Sequence, residues 1–166
     1  RGIALHSYMQ FADFSAALKN PERELERLVS EGFITAEQGA AVNLIRVKKF
    51  LQSSLGRRIA ASDNVKKEQR FSVNIPASMI APDLDGEYRD TPVILQGAVD
   101  CSFTENGRLY ILDFKTDRVE SADELAAEYG MQLKLYAKAL EQVTGMEVGG
   151  CCLYSLHLDM QCDIPL

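Results

Sequence analysis

Residues 97–117 read GAVDCSFTENGRLYILDFKTD, and this stretch decides the fold of the chain. Two apolar, strand-like runs flank the dipeptide Asn106-Gly107, which between alternating hydrophobic residues is the strongest short-range signal for a β-hairpin. A two-residue loop at this dipeptide fixes the register of the two strands. Counting outward from the loop places Asp100 opposite Asp113, so the sequence predicts a hairpin that carries two facing carboxylates.

The two facing acids need a compensating charge, because like charges about 5 Å apart on a sheet destabilise it. Side chains alternate along a strand, so Lys115 lies on the same face as Asp113 and brings an amine to the two acids. An ion triad on a solvated sheet face is the alternative interpretation. The other face of the hairpin is apolar and is expected to belong to the core: Val99, Cys101, Phe103, Tyr110, Leu112 and Phe114. We therefore favour a functional cluster.

The composition bounds the class of protein. The chain has 166 residues, of which 46% are hydrophobic, and this is enough for one domain with one core. No run approaches the roughly 20 apolar residues that a membrane-spanning helix requires, so we expect a soluble protein without a membrane partner. The chain begins at Arg1 without an initiator methionine and with a helical pattern already under way, which suggests a fragment of a longer protein.

Charge and cysteine usage narrow the class further. The net charge of −6 argues against tight, sequence-independent binding of nucleic acid by this chain alone, because such binding comes mostly from Lys and Arg. The four cysteines show no C-x-x-C spacing, which indicates reduced, intracellular thiols rather than metal ligands. Neither observation by itself identifies an activity.

The rest of the chain alternates between helical and strand patterns. The first third is expected to be helical, with a helical segment over residues 2 to about 18, a short helix from Asn20-Pro21 to near Gly32, and a helix from the capping box Thr35-Ala36-Glu37-Gln38 to Gly56. A strand from Val65 to Ile75 and an irregular excursion from Pro76 to Pro92 are expected before the hairpin. After the hairpin we expect a helix that follows the second capping box Ser121-Ala122-Asp123-Glu124, a strand around Cys152 to Leu156 and a short terminal strand. Gly130 leaves open whether the last long helix is continuous or broken. This order predicts an α/β or α+β fold with a central mixed sheet and a parallel, right-handed strand-helix-strand crossover. We expect one domain over 1–166, with a helical segment over 1–60 and a sheet core over 61–166.

Four residues outside the hairpin are candidates for the same cluster. His6 in the first helix and Glu68 on the polar side of the first strand are potential ligands, although a packed or solvated role is more common for such residues. Gln132 and Tyr136 are one turn apart on the last long helix, and a glutamine on the buried side of a helix needs a hydrogen-bond partner. A functional contact and a bond to a nearby loop are equally compatible with Gln132.

Two carboxylates a few ångströms apart form a site for a hard divalent cation. An oxygen-rich ligand set with at most one imidazole suits Mg²⁺ or Mn²⁺ better than zinc. Such a metal activates water and orients a phosphate, and Lys115 adds a point charge for the phosphate or the attacking water. No Ser-His-Asp or Cys-His arrangement and no Gly-rich phosphate loop competes with this interpretation. The residues therefore predict metal-assisted phosphodiester hydrolysis.

Several short motifs carry a resemblance to a known family. They are Gly97-x-x-Asp100, Asp113-Phe114-Lys115-Thr116-Asp117-Arg118 and Gln132-x-x-x-Tyr136, joined by Gly2-x-x-x-His6 near the start and Leu153-Tyr154-Ser155-Leu156 near the end. Together they resemble the nuclease motifs of the PD-(D/E)XK superfamily in its RecB-like branch, and most closely the AddA-type nuclease domains of bacterial AddAB helicase-nucleases. The match covers nearly the whole chain, and the combination of D-F-K-T-D-R with Q-x-x-x-Y is specific.

The resemblance implies a restriction-endonuclease-like fold and a Mg²⁺-dependent DNA exonuclease, with Mn²⁺ as a possible substitute. The implied metal ligands are His6, Asp100, Asp113, the Phe114 backbone carbonyl and, as a further acidic candidate, Glu68. Lys115 is implied to be the catalytic lysine. Gln132 and Tyr136 are implied to support the site and the DNA end.

The resemblance also implies partners and a cellular location. The expected partners are DNA ends or single strands delivered by the helicase, the helicase domains of the same chain, and an AddB-like partner protein. The expected location is the bacterial cytoplasm, at the nucleoid. The alternative from a different class is a DNA-end-binding or interaction module that keeps the fold without cleaving, and the acidic net charge of −6 motivates it.

Overall fold

The computed structural model describes residues 2–166. Its helices are α1 (Gly2–Phe11), α2 (Phe14–Lys19), α3 (Pro21–Ser30), α4 (Ala36–Ala41), α5 (Leu44–Gln52), α6 (Ser54–Ala61) and α7 (Ala122–Thr144). Its strands are β1 (Val65–Pro76), β2 (Pro92–Glu105), β3 (Arg108–Lys115), β4 (Val148–Ser155) and β5 (Met160–Ile164), and a short 3₁₀ helix (Ala77–Met79) follows β1. Within residues 2–166, no helix is long and apolar enough to cross a membrane.

The five strands form one sheet in the order β1-β2-β3-β4-β5. Strands β3 and β4 are parallel, whereas the other neighbouring strands are antiparallel, so the sheet is mixed. Helix α7 connects the parallel pair, because parallel neighbours need a long crossover. The structure therefore confirms the predicted α/β fold with a central mixed sheet flanked by helices.

The hairpin between β2 and β3 has the predicted register. The strand pairs run outward from the loop to Cys101 and Leu112. Asn106 (φ 51°) and Gly107 (φ 76°) both have left-handed backbones, as a two-residue type I′ turn requires. The pairing between the two strands stops at Cys101 and Leu112, one step before the two acids that the register places opposite each other.

Each face of the sheet is covered and has its own hydrophobic core. On one face, the helical segment before β1 packs against β2, β3 and β4, with Phe50 at the centre in contact with Phe114 and Tyr154. On the other face, α7 contacts β1, β2, β4 and β5 and shares one core with residues of all five strands, through residues such as Leu133 and Leu140. The four cysteines are free thiols buried in these two cores. The hairpin is therefore enclosed between two layers of helix.

One residue of the predicted apolar face packs on the other side of the sheet. Val99 belongs to the core under α7, whereas Cys101 and Phe103 of the same strand belong to the core under the helical segment. The change of side occurs at Asp100, where the pairing with β1 skips Glu68, whose backbone is left-handed (φ 49°). Irregular residues of this kind interrupt the alternation of a strand, so counting by two fails across this point.

The predicted helix from Thr35 to Gly56 is wrong. The capping box at Thr35 is present, but the segment forms three short helices because Asn43 and Ser53 each cap a new helix N-terminus. Gly56 does not end a helix. It is buried inside α6, where an added Cβ would lie 2.2 Å from the carbonyl oxygen of Phe50.

Helix α7 runs continuously through Gly130, which resolves the alternative that the sequence leaves open. Gly130 is buried against Ile164 of β5, and an added Cβ would lie 3.7 Å from that side chain. The Ser121 hydroxyl caps the helix, but the Glu124 carboxylate accepts a hydrogen bond from the N–H of Glu120 (2.8 Å). The predicted capping box at the start of α7 is therefore only half formed.

Candidate metal centre and catalytic site

The predicted site residues come from five elements. They are His6 from α1, Glu68 from β1, Asp100 from β2, Asp113 and Lys115 from β3, and Gln132 and Tyr136 from α7. Their contacts define two clusters and a separate pair, Gln132 and Tyr136, on α7. We call His6, Glu68 and Asp100 the histidine cluster, and we call Asp113, Lys115 and Tyr129 the lysine cluster.

Asp100 connects the first helix to the hairpin. Its Oδ1 lies 3.1 Å from Nε2 of His6, and its Oδ2 accepts a hydrogen bond from the backbone N–H of Phe114 at 2.7 Å. The side chains of His6 and Asp100 are 36% and 16% exposed, so the contact is sheltered yet reachable from solvent. The hydrogen bond to Asp100 raises the pKa of His6 above its ordinary value of 6.5, although burial opposes the shift.

Glu68 completes the histidine cluster. One ligand atom from each of His6, Glu68 and Asp100 lies within 4.8 Å of the other two. The left-handed backbone of Glu68 (φ 49°) is rare outside glycine and costs on the order of 1–3 kcal/mol, and strain of this kind is concentrated at functional sites. Burial and the charge of Asp100 raise the pKa of Glu68. A strained backbone therefore accompanies the second carboxylate of the cluster.

The lysine cluster begins on β3 itself. Nζ of Lys115 lies 2.6 Å from Oδ2 of Asp113 and 3.9 Å from the centroid of the Tyr129 ring on α7. Burial raises the pKa of Asp113, Asp100 raises it further, and Lys115 opposes the shift. Asp100 therefore contacts His6 in the histidine cluster, and its charge raises the pKa of Asp113 in the lysine cluster.

The histidine cluster fits a divalent cation by its donor set. Two carboxylates and one imidazole are ligands that suit Mg²⁺ or Mn²⁺. Within residues 2–166, it is the one group of at least three His, Cys, Asp or Glu side chains with this spacing. Oδ2 of Asp113 faces Lys115, and Phe114 gives its N–H to Asp100. The roles of His6, Glu68, Asp100, Asp113 and the Phe114 carbonyl as metal ligands stay predictions.

Gln132 and Tyr136 bond to each other on α7. Nε2 of Gln132 donates a hydrogen bond to the Tyr136 hydroxyl at 2.8 Å, and Gln132 is exposed rather than on the buried side of the helix as expected. The Tyr136 ring packs edge-on against Phe71, with 4.9 Å between the centroids. Gly97 makes room for this pair, since an added Cβ would lie 2.8 Å from Cζ of Tyr136. The glycine of the Gly97-x-x-Asp100 motif therefore serves close packing.

Two residues that fix the position of α1 were not identified as such from the sequence. An added Cβ on Gly2 would lie 2.9 Å from Oγ1 of Thr116, so glycine lets the start of α1 approach the end of β3. Lys67 donates a hydrogen bond to the carbonyl of Ala12, just after the end of α1, and burial lowers its pKa to about 8. The Gly2-x-x-x-His6 motif contains a signal for Gly2, whereas Lys67 has the pattern of an ordinary lysine in an alternating strand.

The chain matches known proteins over nearly its whole length. The family model described as the PD-(D/E)XK nuclease superfamily matches residues 1–161. The chain is 40% identical over 162 residues to an ATP-dependent helicase/nuclease protein of Clostridium botulinum strain Hall, and the match covers 96% of this chain and 13% of that protein. It is 36% identical over 164 residues to the protein of the same name from Clostridium acetobutylicum, with 95% and 13% covered. The crystal structure of SSO0001 aligns with a TM-score of 0.43 and 13% identity, over 97% of this chain and 67% of that one.

The extent of these matches defines what they show. The chain spans about 13% of the length of the two curated relatives. The family model, in contrast, covers both the histidine cluster and the lysine cluster. Nucleases of this superfamily use divalent metal ions, in agreement with the donor set of the histidine cluster. The chain belongs to the PD-(D/E)XK nuclease superfamily and is a nuclease domain.

Proposed function

We propose that this domain hydrolyses DNA phosphodiester bonds with Mg²⁺, as the exonuclease of an AddA-type helicase-nuclease that processes double-strand DNA ends. The observation that carries the proposal is the meeting of a donor set suited to a metal with a sheltered lysine, since Asp100 of the first cluster accepts a hydrogen bond from Phe114, which lies between Asp113 and Lys115 of the second. The relatives named as ATP-dependent helicase/nuclease proteins support the wider context.

The ligand set proposed for the metal has a compact part and an extended part. His6, Glu68 and Asp100 are close enough to share one ion, and Asp113 and the Phe114 carbonyl are the further ligands that the family resemblance implies. Mg²⁺ is the proposed resident ion, and Mn²⁺ can substitute because both favour oxygen ligands. When bound, such an ion acts as a Lewis acid on a phosphate oxygen and lowers the pKa of a coordinated water.

Lys115 supplies the positive charge that the phosphate needs. Its side chain is only 17% exposed, and in a sheltered place a fixed charge acts more strongly than in water. An ammonium group held in advance stabilises the negative charge that develops on the phosphate during attack. Asp113 holds this ammonium group at 2.6 Å, which gives that acid a role in addition to its predicted one as a ligand.

The Gln132-Tyr136 pair is proposed to support the DNA end. Gln132 is exposed and Tyr136 is half-buried, so an amide and an aromatic ring are accessible beside the sheet. Aromatic side chains stack on the bases of single strands without sequence preference. The net charge of −6 leaves most phosphate contacts to the helicase domains of the same chain, which deliver the strand, and to an AddB-like partner protein. The proposed location is the bacterial cytoplasm, at the nucleoid.

Asp113→Asn in the intact helicase-nuclease tests the proposal. The change removes a carboxylate charge at nearly constant volume, and we expect cleavage of end-labelled duplex DNA to fall at least about 10³-fold. ATP-dependent unwinding, measured on the same substrate, is expected to stay normal. Asp85→Asn, in the exposed segment between β1 and β2, is the matched control and is expected to cleave normally.

Two outcomes contradict the proposal in different ways. Normal cleavage by Asp113→Asn would show that the catalytic assignment is wrong. An unmodified enzyme that binds DNA ends but does not cleave them with any divalent metal would instead identify a non-cleaving end-binding module, the candidate that the acidic net charge of −6 favours.

A further inference from the structure

The Lys115 side chain is held from two sides. On one side its amine contacts Oδ2 of Asp113 at 2.6 Å, and on the other it lies 3.9 Å from the centroid of the Tyr129 ring. A lysine ammonium within about 6 Å of a ring centroid is attracted by the electron-rich face of the ring. The second contact is therefore an attractive one, made by a residue that neither the motifs nor the family resemblance assigns to the site.

The fold fixes the ring of Tyr129 in this place. Tyr129 lies on α7, and the next residue, Gly130, is packed against Ile164 of β5. This packing places α7 against β5 at the level of Tyr129. The hydrogen bond to Glu128, burial and the charge of Asp117 raise the pKa of Tyr129 from 10.0 to about 12, which keeps the phenol neutral at physiological pH. Tyr129 therefore presents an uncharged aromatic face to the amine from a helix that packs on the sheet.

The uncharged ring of Tyr129 can hold the Lys115 amine without using a carboxylate, which Asp113 cannot do. Lysine has a flexible stem, and holding its charged end in one place costs rotamer entropy. Asp113 contacts the amine at 2.6 Å and is itself a predicted metal ligand, so a metal ion bound to Asp113 would compete with that contact. An aromatic face attracts the ammonium without using that carboxylate and leaves N–H groups free to donate.

We propose that Tyr129 is a positioning residue for Lys115, whose ring face holds the catalytic ammonium group beside the metal ligands and ready for the scissile phosphate. The proposal rests on the proposed nuclease function for its catalytic meaning. The contact between the ring and the amine is independent of that function, and the experiments below separate the two.

The kinetic test compares Tyr129→Phe with Tyr129→Leu in the intact helicase-nuclease. Phenylalanine keeps the ring face, so its kcat for DNA cleavage is expected to stay within about twofold of the unmodified enzyme. Leucine keeps apolar bulk without a ring face, and we expect kcat to fall by about tenfold, with KM for DNA and the Mg²⁺ concentration for half-maximal rate unchanged. Equal loss in both variants, no loss in leucine, or a loss that appears in KM or in Mg²⁺ dependence would each overturn the proposal.

Ring-fluorinated phenylalanines at position 129 separate electrostatics from packing. Fluorine withdraws electron density from the ring face while the shape of the ring stays nearly constant. We expect kcat to fall stepwise as fluorine atoms are added, because each one weakens the attraction for the ammonium group. A rate that is flat across the series would mean that the ring only fills space, which contradicts the proposal.

A measurement without DNA makes the proposal independent of catalysis. Mass spectrometry can follow the rate at which an amine-acylating reagent modifies Lys115 in the intact protein, with the exposed Lys138 as internal reference. Tyr129→Leu is expected to raise the Lys115 rate several-fold relative to Lys138, whereas Tyr129→Phe is not. An unchanged Lys115 rate in both variants would overturn the positioning role even in an active nuclease. A changed rate in an enzyme that never cleaves DNA would leave the positioning role intact and reject the proposed function.

Discussion

The histidine cluster and the lysine cluster are assembled in different ways. His6, Glu68 and Asp100 come from a helix and two strands that are far apart in the sequence, so tertiary packing alone brings them together. Asp113 and Lys115 are two residues apart on one strand, and Tyr129 comes from the helix that follows it. The histidine cluster, or histidine half of the site, therefore depends on how α1 docks on the sheet, whereas the lysine cluster, or lysine half, depends on the geometry of one strand and its neighbour.

Asp100→Asn is expected to have the largest effect, because Asp100 is the residue on which both halves depend. Its loss removes the acceptor of His6, one of the two carboxylates of the histidine cluster and the charge that acts on Asp113. We expect a loss of cleavage of at least about 10³-fold and a much higher Mg²⁺ requirement. Nuclease assays over a Mg²⁺ series measure both. Asp90→Asn, an exposed acid outside the site, is the matched control.

The pH dependence of metal binding distinguishes the histidine half from the lysine half, since only the histidine half contains an imidazole, that of His6. An imidazole must lose its proton to bind a metal, and the hydrogen bond to Asp100 raises the pKa of His6 above 6.5. Metal affinity is therefore expected to rise with pH below the raised pKa of His6, by up to about tenfold per pH unit for each proton released, and to level off above it. Burial raises the pKa of Glu68 as well, which acts in the same direction. Mn²⁺ titrations at several pH values measure the slope.

The raised pKa of His6 has the opposite effect on the stability of the metal-free protein, which falls as the pH rises. A raised pKa in the folded state means that the contribution of His6 to stability is complete below pH 6.5 and is lost as the pH rises through the folded value. In chelator, the free energy of unfolding is expected to decrease over this range. His6→Gln is expected to flatten both dependences, and a slope that survives this change would assign the proton to another group.

Gly2→Ala is expected to have the smallest effect, and it acts on the histidine half alone. The added methyl group would lie 2.9 Å from Oγ1 of Thr116, so either this side chain or the start of α1 must shift, and a shift of α1 carries His6 with it. We expect the Mg²⁺ concentration for half-maximal cleavage to rise roughly three- to tenfold, while kcat at saturating Mg²⁺ changes little. Gly86→Ala is the control, because an added Cβ there meets nothing within 4 Å. A loss of kcat at saturating metal would mean that α1 also positions the lysine cluster.

The lysine half was the more predictable half from sequence. Asn106-Gly107 determines the register locally, and the observed pairs follow it from the loop out to Cys101 and Leu112. The alternation of a strand then places Lys115 with Asp113, as the structure has them. The ring of Tyr129 was not predictable, because its place depends on how α7 rotates against β5.

The histidine half required information that no local pattern contains. The left-handed backbone of Glu68 breaks the alternation of β1, and no neighbouring turn residue predicts this break from the sequence. The approach of α1 depends on the space left by Gly2 and on the bond from Lys67 to Ala12. The family resemblance placed His6 in the site, whereas helical periodicity could not.

In the helical segment, the sequence contains the signals for breaks between helices, but the apolar spacing outweighs them. Asn43 and Ser53 are both good N-cap residues, yet the apolar spacing around them is typical of one continuous helix. Gly56 has the pattern of a helix end, but glycine is needed there because the backbone packs closely against Phe50. Periodicity averages over such breaks, because short helices joined by caps keep nearly the same apolar face.

Mn²⁺ binding to the Lys115→Gln and Asp100→Asn variants of the intact enzyme tests most directly the claim that the two halves have separate tasks. Electron paramagnetic resonance of free Mn²⁺ gives the dissociation constant without any cleavage. We expect Lys115→Gln to bind Mn²⁺ as the unmodified enzyme does while its cleavage is lost, and we expect Asp100→Asn to lose binding and cleavage together. Loss of Mn²⁺ binding in Lys115→Gln, or normal binding in Asp100→Asn, would contradict the division of the site into a metal-binding histidine half and a lysine half.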